Sequence, residues 1–148
     1  MMTIAHTGII VPKDKVAEVA AWYLKALEPL GYKQIIDHYG VVIGLGDKEF
    51  EADFWVIGRD MPENITSHHA FASPGKFRSA LEREAAFEGL TQCEDRAKVG
   101  AFYKAAIDAG AKDNGPPGLR PHYHANYYAA FVLDPAGNNI EALCNVPA

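Results

Sequence analysis

The chain has 148 residues, 49% of them hydrophobic and 22% charged. That is one domain's worth of chain, with enough apolar side chains to bury a core, and it excludes a disordered segment. Fourteen Lys and Arg against nineteen Asp and Glu leave a formal charge of −5, so there is no basic surplus to neutralise nucleic-acid phosphates. Apolar runs such as Ile9–Val11 and Val41–Ile43 are far too short to span a bilayer. Met1–His6 carries no charged and apolar leader, so a cytoplasmic protein without membrane contact is expected. The cysteines, Cys93 and Cys144, do not make a disulfide framework and read as reduced thiols.

The chain repeats itself. A short strand-like run, Ile4-Ala5-His6-Thr7-Gly8-Ile9, opens the first half. A helix follows, with Val16, Val19, Ala20, Tyr23, Leu27 and Leu30 on one stripe. Asp14 is its expected cap, and Pro29 with Gly31 its end. Strand-like runs at Val41–Leu45 and Phe54–Ile57 close this half. The second half opens with Ser67-His68-His69-Ala70-Phe71 and continues into a helix striped by Val99, Phe102, Tyr103, Ala106 and Ile107. Asp95 is the expected cap and Gly110 the stop, and the strand-like runs are Tyr127–Leu133 and Asn139–Cys144. Each half thus reads as one strand, one helix and about three strands. Module one covers about 1–60 and module two about 66–146, within a single domain of 1–148.

About 18 extra residues separate strand and helix in the second half. They fall in an insertion at about 73–94. Ser73-Pro74 starts a short stripe of Phe77, Ala80, Leu81 and Ala85, stopped by Gly89, so an extra helix is predicted there, either a surface elaboration or a lid. Asp113-Asn114-Gly115-Pro116-Pro117-Gly118 is dense in turn formers and reads as a loop before a strand.

No Cys-x-x-Cys pair, phosphate-binding Gly-rich loop or nucleophile elbow is present, so chemistry must come from histidines and carboxylates. His6 and His68 occupy equivalent repeat positions. Alternation along a strand places His6 on one face with Gly8 and Ile10, and His68 with Ala70 and Ala72. The opposite faces, Thr7, Ile9 and Val11, then His69 and Phe71, suit packing beneath helices. Glu141, on the last strand, completes a set of two imidazoles and a carboxylate, which can hold a divalent ion and leave positions open for substrate. Arg120 is a bidentate partner for an anionic substrate group or a member of a salt bridge. Tyr128 donates into the site or packs in the core. His122 and His124 are loop surface or substrate contacts.

The stretch Pro117-Gly118-Leu119-Arg120-Pro121, followed by Tyr127 to Glu141 with its Asp134-Pro135-Ala136-Gly137-Asn138 turn, resembles the vicinal oxygen chelate superfamily. That group includes glyoxalase I, fosfomycin-resistance enzymes, extradiol dioxygenases and bleomycin-binding proteins. The resemblance covers nearly the whole chain and implies an α+β fold, with two paired βαβββ modules forming a cupped, mostly antiparallel sheet. It implies a divalent metal (Zn, Mn, Fe or Ni) held by His6, His68 and Glu141. Aligning Ile140-Glu141-Ala142-Leu143 with Asp53-Phe54-Trp55-Val56 puts Phe54 opposite Glu141, so no fourth protein ligand is expected. That arrangement resembles fosfomycin-resistance enzymes more than glyoxalase I. The implied function is metal-dependent chemistry of the lyase, isomerase or dioxygenase type on a small oxygenated substrate, with Glu141, Tyr128 and Arg120 at the reacting site. The alternatives are a metal-free binding protein of the bleomycin-resistance type and a metal-free isomerase. A homodimer is expected, with one subunit offering His6 and the other His68 and Glu141.

Overall fold

The computed structural model describes residues 6–60, 66–72, 93–123 and 125–145. The predicted helical insertion and His124 lie outside these residues. The first half runs β1 (Thr7–Pro12), α1 (Val16–Leu27), β2 (Lys33–His38), β3 (Val42–Gly46) and β4 (Phe54–Arg59). The second runs β5 (His68–Ala72), α2 (Cys93–Asp108), β6 (Lys112–Leu119), β7 (Tyr128–Leu133) and β8 (Asn139–Cys144). The expected α+β pair of βαβββ modules is what forms. Each half builds its own four-stranded sheet, ordered β1-β4-β3-β2 and β5-β8-β7-β6. In each, the first strand is parallel to the last and the other pairings are antiparallel.

The stripe on α1 explains its place. Val16, Val19, Ala20, Tyr23 and Leu27 are all buried, because the 3.6-residue period turns them to one side. The end of this helix is as expected: a 3₁₀ turn at Glu28–Leu30 stops at Gly31, whose φ of 91° suits a residue without Cβ. Its start differs. Asp14 sits inside a 3₁₀ turn, Lys13–Lys15, and α1 begins without a side-chain cap. Asp95 likewise falls within α2 rather than ahead of it. The predicted loop at Asp113–Gly118 is a strand. Pro116 and Pro117 lack N–H groups, but β6 is an edge strand that pairs on one side only. Register shifts between Asp113 and Gly118 absorb the misfit.

Both helices lie on the sides of the sheets that share one core. Ile9, Val11, Phe54 and Val56 of the first sheet, and Phe71, Val132, Ile140 and Ala142 of the second, meet α1 and α2 within it. Phe54 and Phe71 pack edge to face at 5.1 Å. A polar bond crosses this core. Tyr23 is fully buried and its hydroxyl donates to Asp134 Oδ2 at 2.8 Å. The other oxygen of Asp134 accepts the backbone N–H groups of Ala136 and Asn138, closing the turn between β7 and β8. Burial, and then the negative charge of Asp134, hold the Tyr23 phenol well above its ordinary pKa, so it stays a proton donor. Tyr23→Phe removes the donor and leaves a buried carboxylate short of one partner. We expect a loss of about 1.5–3 kcal/mol in urea unfolding, with the native circular dichroism retained.

Candidate functional site

Alternation makes each sheet two-sided. On the second sheet, Val132, Ile140, Ala142 and Phe71 turn toward the core. The other face carries Glu141 next to Ala70 of β5 and Phe131 of β7, with His68 two residues before Ala70 on the same side. His69 turns the other way, as expected of a packing residue. Its ring meets Phe54 at 5.5 Å, and Nε2 lies 2.8 Å from Ser67 Oγ. Burial is the main cause that lowers the His69 pKa, with the neighbouring His68 second.

Glu141 is only 3% exposed although it faces away from the helices. Two side chains account for its polar surroundings. The Tyr127 hydroxyl donates to Oε1 at 2.5 Å, and His68 Nε2 lies 3.3 Å from Oε2. The other ring nitrogen of His68, Nδ1, is 3.1 Å from the carbonyl oxygen of Asn139. A carbonyl only accepts, so Nδ1 carries a proton there. That turns the Nε2 position toward a carboxylate oxygen. In the neutral tautomer two electron pairs would face each other. A shared proton or a cation between them relieves this. The spacing suits a cation: two donors roughly 2.1 Å from one ion, at near-tetrahedral angles, lie roughly 3.4 Å apart. An outer hydrogen bond on the second ring nitrogen is the usual support for a ligating histidine.

His6 does not join this pair. It precedes β1 and is exposed, and among the described residues no group of three His, Cys, Asp or Glu could hold a metal. Its equivalence to His68 nonetheless holds in the register. Gly8 pairs with Trp55 as Ala70 pairs with Glu141. Trp55, rather than Phe54, is therefore the counterpart of Glu141; Phe54 matches Ile140 and is core. No carboxylate occupies the fourth position in either alignment. Gly8 is small for a local reason: a Cβ there would lie 2.6 Å from the Trp55 carbonyl oxygen.

Of the two places expected for Tyr128, in the site or in the core, it takes the one against the core. Tyr128 pairs with Cys144 on the helix side, where the Arg96 guanidinium of α2 lies 5.2 Å from its ring centre. Tyr127, which sequence reasoning passed over, reaches Glu141. Burial first, and then the bond to Glu141, push the Tyr127 phenol pKa up. Arg120 stands beside this group, its guanidinium 5.7 Å from the ring centre of Phe131. His122 and Tyr123 are exposed; their rings are 4.2 Å apart, and Tyr123 is 5.3 Å from Tyr127.

Solved structures share this fold. A glyoxalase/bleomycin resistance protein from Albidiferax ferrireducens T118 is similar over 93% of this chain and 95% of its own, with 19% identity and a TM-score of 0.61. A lactoylglutathione lyase from Agrobacterium tumefaciens matches 97% of this chain and 93% of its own, at 14% identity and 0.60. A glyoxalase/bleomycin resistance protein/dioxygenase family enzyme from Burkholderia phytofirmans PsJN matches 98% and 100%, at 13% identity and 0.58. The fold is thus that of the glyoxalase, bleomycin-resistance and dioxygenase proteins, consistent with the vicinal oxygen chelate resemblance. No family model and no curated protein sequence matches the chain.

The adjacent tyrosines separate in stability. Tyr127→Phe strips a buried carboxylate of its phenol donor and should cost about 1.5–3 kcal/mol in chemical denaturation. Tyr128→Phe should stay within about 0.5 kcal/mol of wild type.

Proposed function

We propose that the chain is a divalent-metal-dependent enzyme acting on a small oxygenated substrate, through lyase, isomerase or dioxygenase-type chemistry. The observation that carries this reading is the His68 Nε2–Glu141 Oε2 approach of 3.3 Å, on the sheet face turned away from α1 and α2. In this reading His68 and Glu141 of one subunit and His6 of a second hold the ion. Bound there, the ion would polarise adjacent substrate oxygens and stabilise an enolate or oxyanion.

The chain's own residues do the rest. The Tyr127 hydroxyl fixes one oxygen of Glu141 and leaves the other directed at His68. The Asn139 carbonyl fixes the plane of the His68 ring through Nδ1. In this reading Oε1 of Glu141, held by Tyr127 and not by the ion, is the oxygen left to take or return a proton at carbon next to a substrate carbonyl.

The second subunit is part of the proposal. On the face of the first sheet turned away from α1 and α2, Ile10 is 49% exposed. A second copy laying its second sheet against this face would bury that surface. It would also bring His6 toward a foreign His68–Glu141 pair. The absence of a three-residue cluster among the described residues of one chain favours a second reading, a metal-free small-molecule binding protein in which a proton on His68 supplies the charge.

Metal analysis separates the two. Protein purified without chelator or nickel resin, or incubated with Zn²⁺, Mn²⁺, Fe²⁺ and Ni²⁺, should retain near-stoichiometric metal, and His68→Ala should lose it. A wild type that stays metal-free sinks the enzyme reading and leaves the binding protein.

The shared site has its own test. Light scattering should give a dimer mass. Mixing His6→Ala with Glu141→Ala should restore metal binding to a fraction of sites after subunit exchange. A monomer that binds metal with all its ligands would overturn the sharing.

A further inference from the structure

Arg120 has no ion-pair partner among the described residues. Instead its side chain folds back on its own strand. Nη2 donates to the Pro116 carbonyl at 2.7 Å and Nη1 to the Leu119 carbonyl at 3.3 Å. A guanidinium has five N–H donors, so three remain after these two bonds. The two carbonyls hold the group in place without cancelling its charge. Close approach is possible because residue 118 is glycine: a Cβ there would lie 2.8 Å from Nη1.

The perch is aimed at the candidate site. The guanidinium lies over the Phe131 ring, and Phe131 is the cross-strand neighbour of Glu141. Phe131 thus neighbours both Glu141 and a guanidinium that has no ion pair among the described residues. Tyr127 flanks the same carboxylate, with the Tyr123 ring tilted against it at 60°. A molecule lying across Phe131 would meet a fixed positive fork at one end and the reacting pair at the other, with aromatic surface between.

We propose that Arg120 is the anion subsite of this site, and that the ligand is a small carboxylate or phosphonate with a flat apolar body. A planar fork with spare donors matches two oxygens of such a group in parallel bonds. Phe131 supplies the apolar floor. This rests on the reading of the face turned away from α1 and α2 as a small-molecule site, but not on the metal, because no part of the Arg120 perch uses His6, His68 or Glu141.

The test is therefore run on chelator-treated full-length protein. Benzoate and phenylphosphonate are titrated by calorimetry, with benzamide as the uncharged control. Wild type should bind one or both anions saturably and benzamide at least tenfold more weakly. Arg120→Gln should weaken anion binding about 10- to 100-fold. Arg120→Lys keeps the charge but loses the fork, and should fall between. Gly118→Ala keeps every charge and displaces only the guanidinium; it should weaken the anions while leaving the unfolding temperature near wild type. It also guards against an Arg120 variant that fails to fold. Because the protein is chelator-treated, loss of metal and loss of anion binding are read independently. Anion affinity unchanged in both Arg120→Gln and Gly118→Ala overturns the proposal. So does a wild type that binds neither anion, or that binds benzamide as well as benzoate.

Discussion

Everything near the candidate site leans on one buried carboxylate that is not in it. Asp134 accepts the Tyr23 hydroxyl from the other half of the chain, two backbone N–H groups of its own turn, and the Asn138 side-chain amide. Asn138 in turn accepts the N–H and hydroxyl of Ser67 through Oδ1. Asn139 then donates its own N–H to the Ser67 carbonyl. The entry to β5 is thus pinned to the entry to β8. His68 stands one residue beyond Ser67 and bonds the carbonyl of Asn139. A buried ion left partly unsatisfied would cost several kcal/mol. This one is saturated, and its saturation fixes the side chain that faces Glu141.

The network gives the Asp134-to-Asn138 turn a physical meaning. A short turn needs only residues that bend. Here the aspartate also answers a phenol 111 residues away in sequence, and the asparagine answers a serine 71 residues away. The two halves are therefore joined by directional bonds as well as by the aromatic contacts of Phe54, Phe71 and Tyr32. Dispersion alone would allow the halves to slide; hydrogen bonds in a dry interior fix their relative placement.

How much of this was legible in the sequence depends on how one-sided each segment is. The α1 stripe was readable from its 3.6-residue period, and the faces of β1 and β5 from the small residues Gly8 and Ala70 two places beyond His6 and His68. Tyr127–Leu133 is apolar on both faces. Alternation cannot then say which tyrosine turns toward Glu141, and the choice of Tyr128 in place of Tyr127 follows from that degeneracy. The pairing of Phe131 with Glu141 resolves it, since Tyr127 lies two steps of two from Phe131. The same ambiguity placed Phe54, not Trp55, opposite Glu141. The β6 segment was hidden for a different reason. Its glycines and prolines describe the local chain, while its pairing with β7 is decided by the sheet. His6 could be matched to His68 by repeat position, but equivalence in a repeat is not proximity in one chain.

The prolines of β6 also bear on how copies of this protein can meet. The four sheet edges are β1, β2, β5 and β6. Pro116 and Pro117 remove two donors from the β6 edge. The β2 edge carries Lys33, Asp37 and His38, all exposed. Neither edge is a good template for a further strand. The β1 and β5 edges, Thr7-Gly8-Ile9-Ile10-Val11-Pro12 and His68-His69-Ala70-Phe71-Ala72, carry no charged side chain apart from the histidines. Strand addition is thus blunted at β2 and β6, while among the described residues β1 and β5 each pair on one side only. A chain with one sticky margin per sheet can close on itself in a finite assembly, whereas one with two would propagate into a fibre.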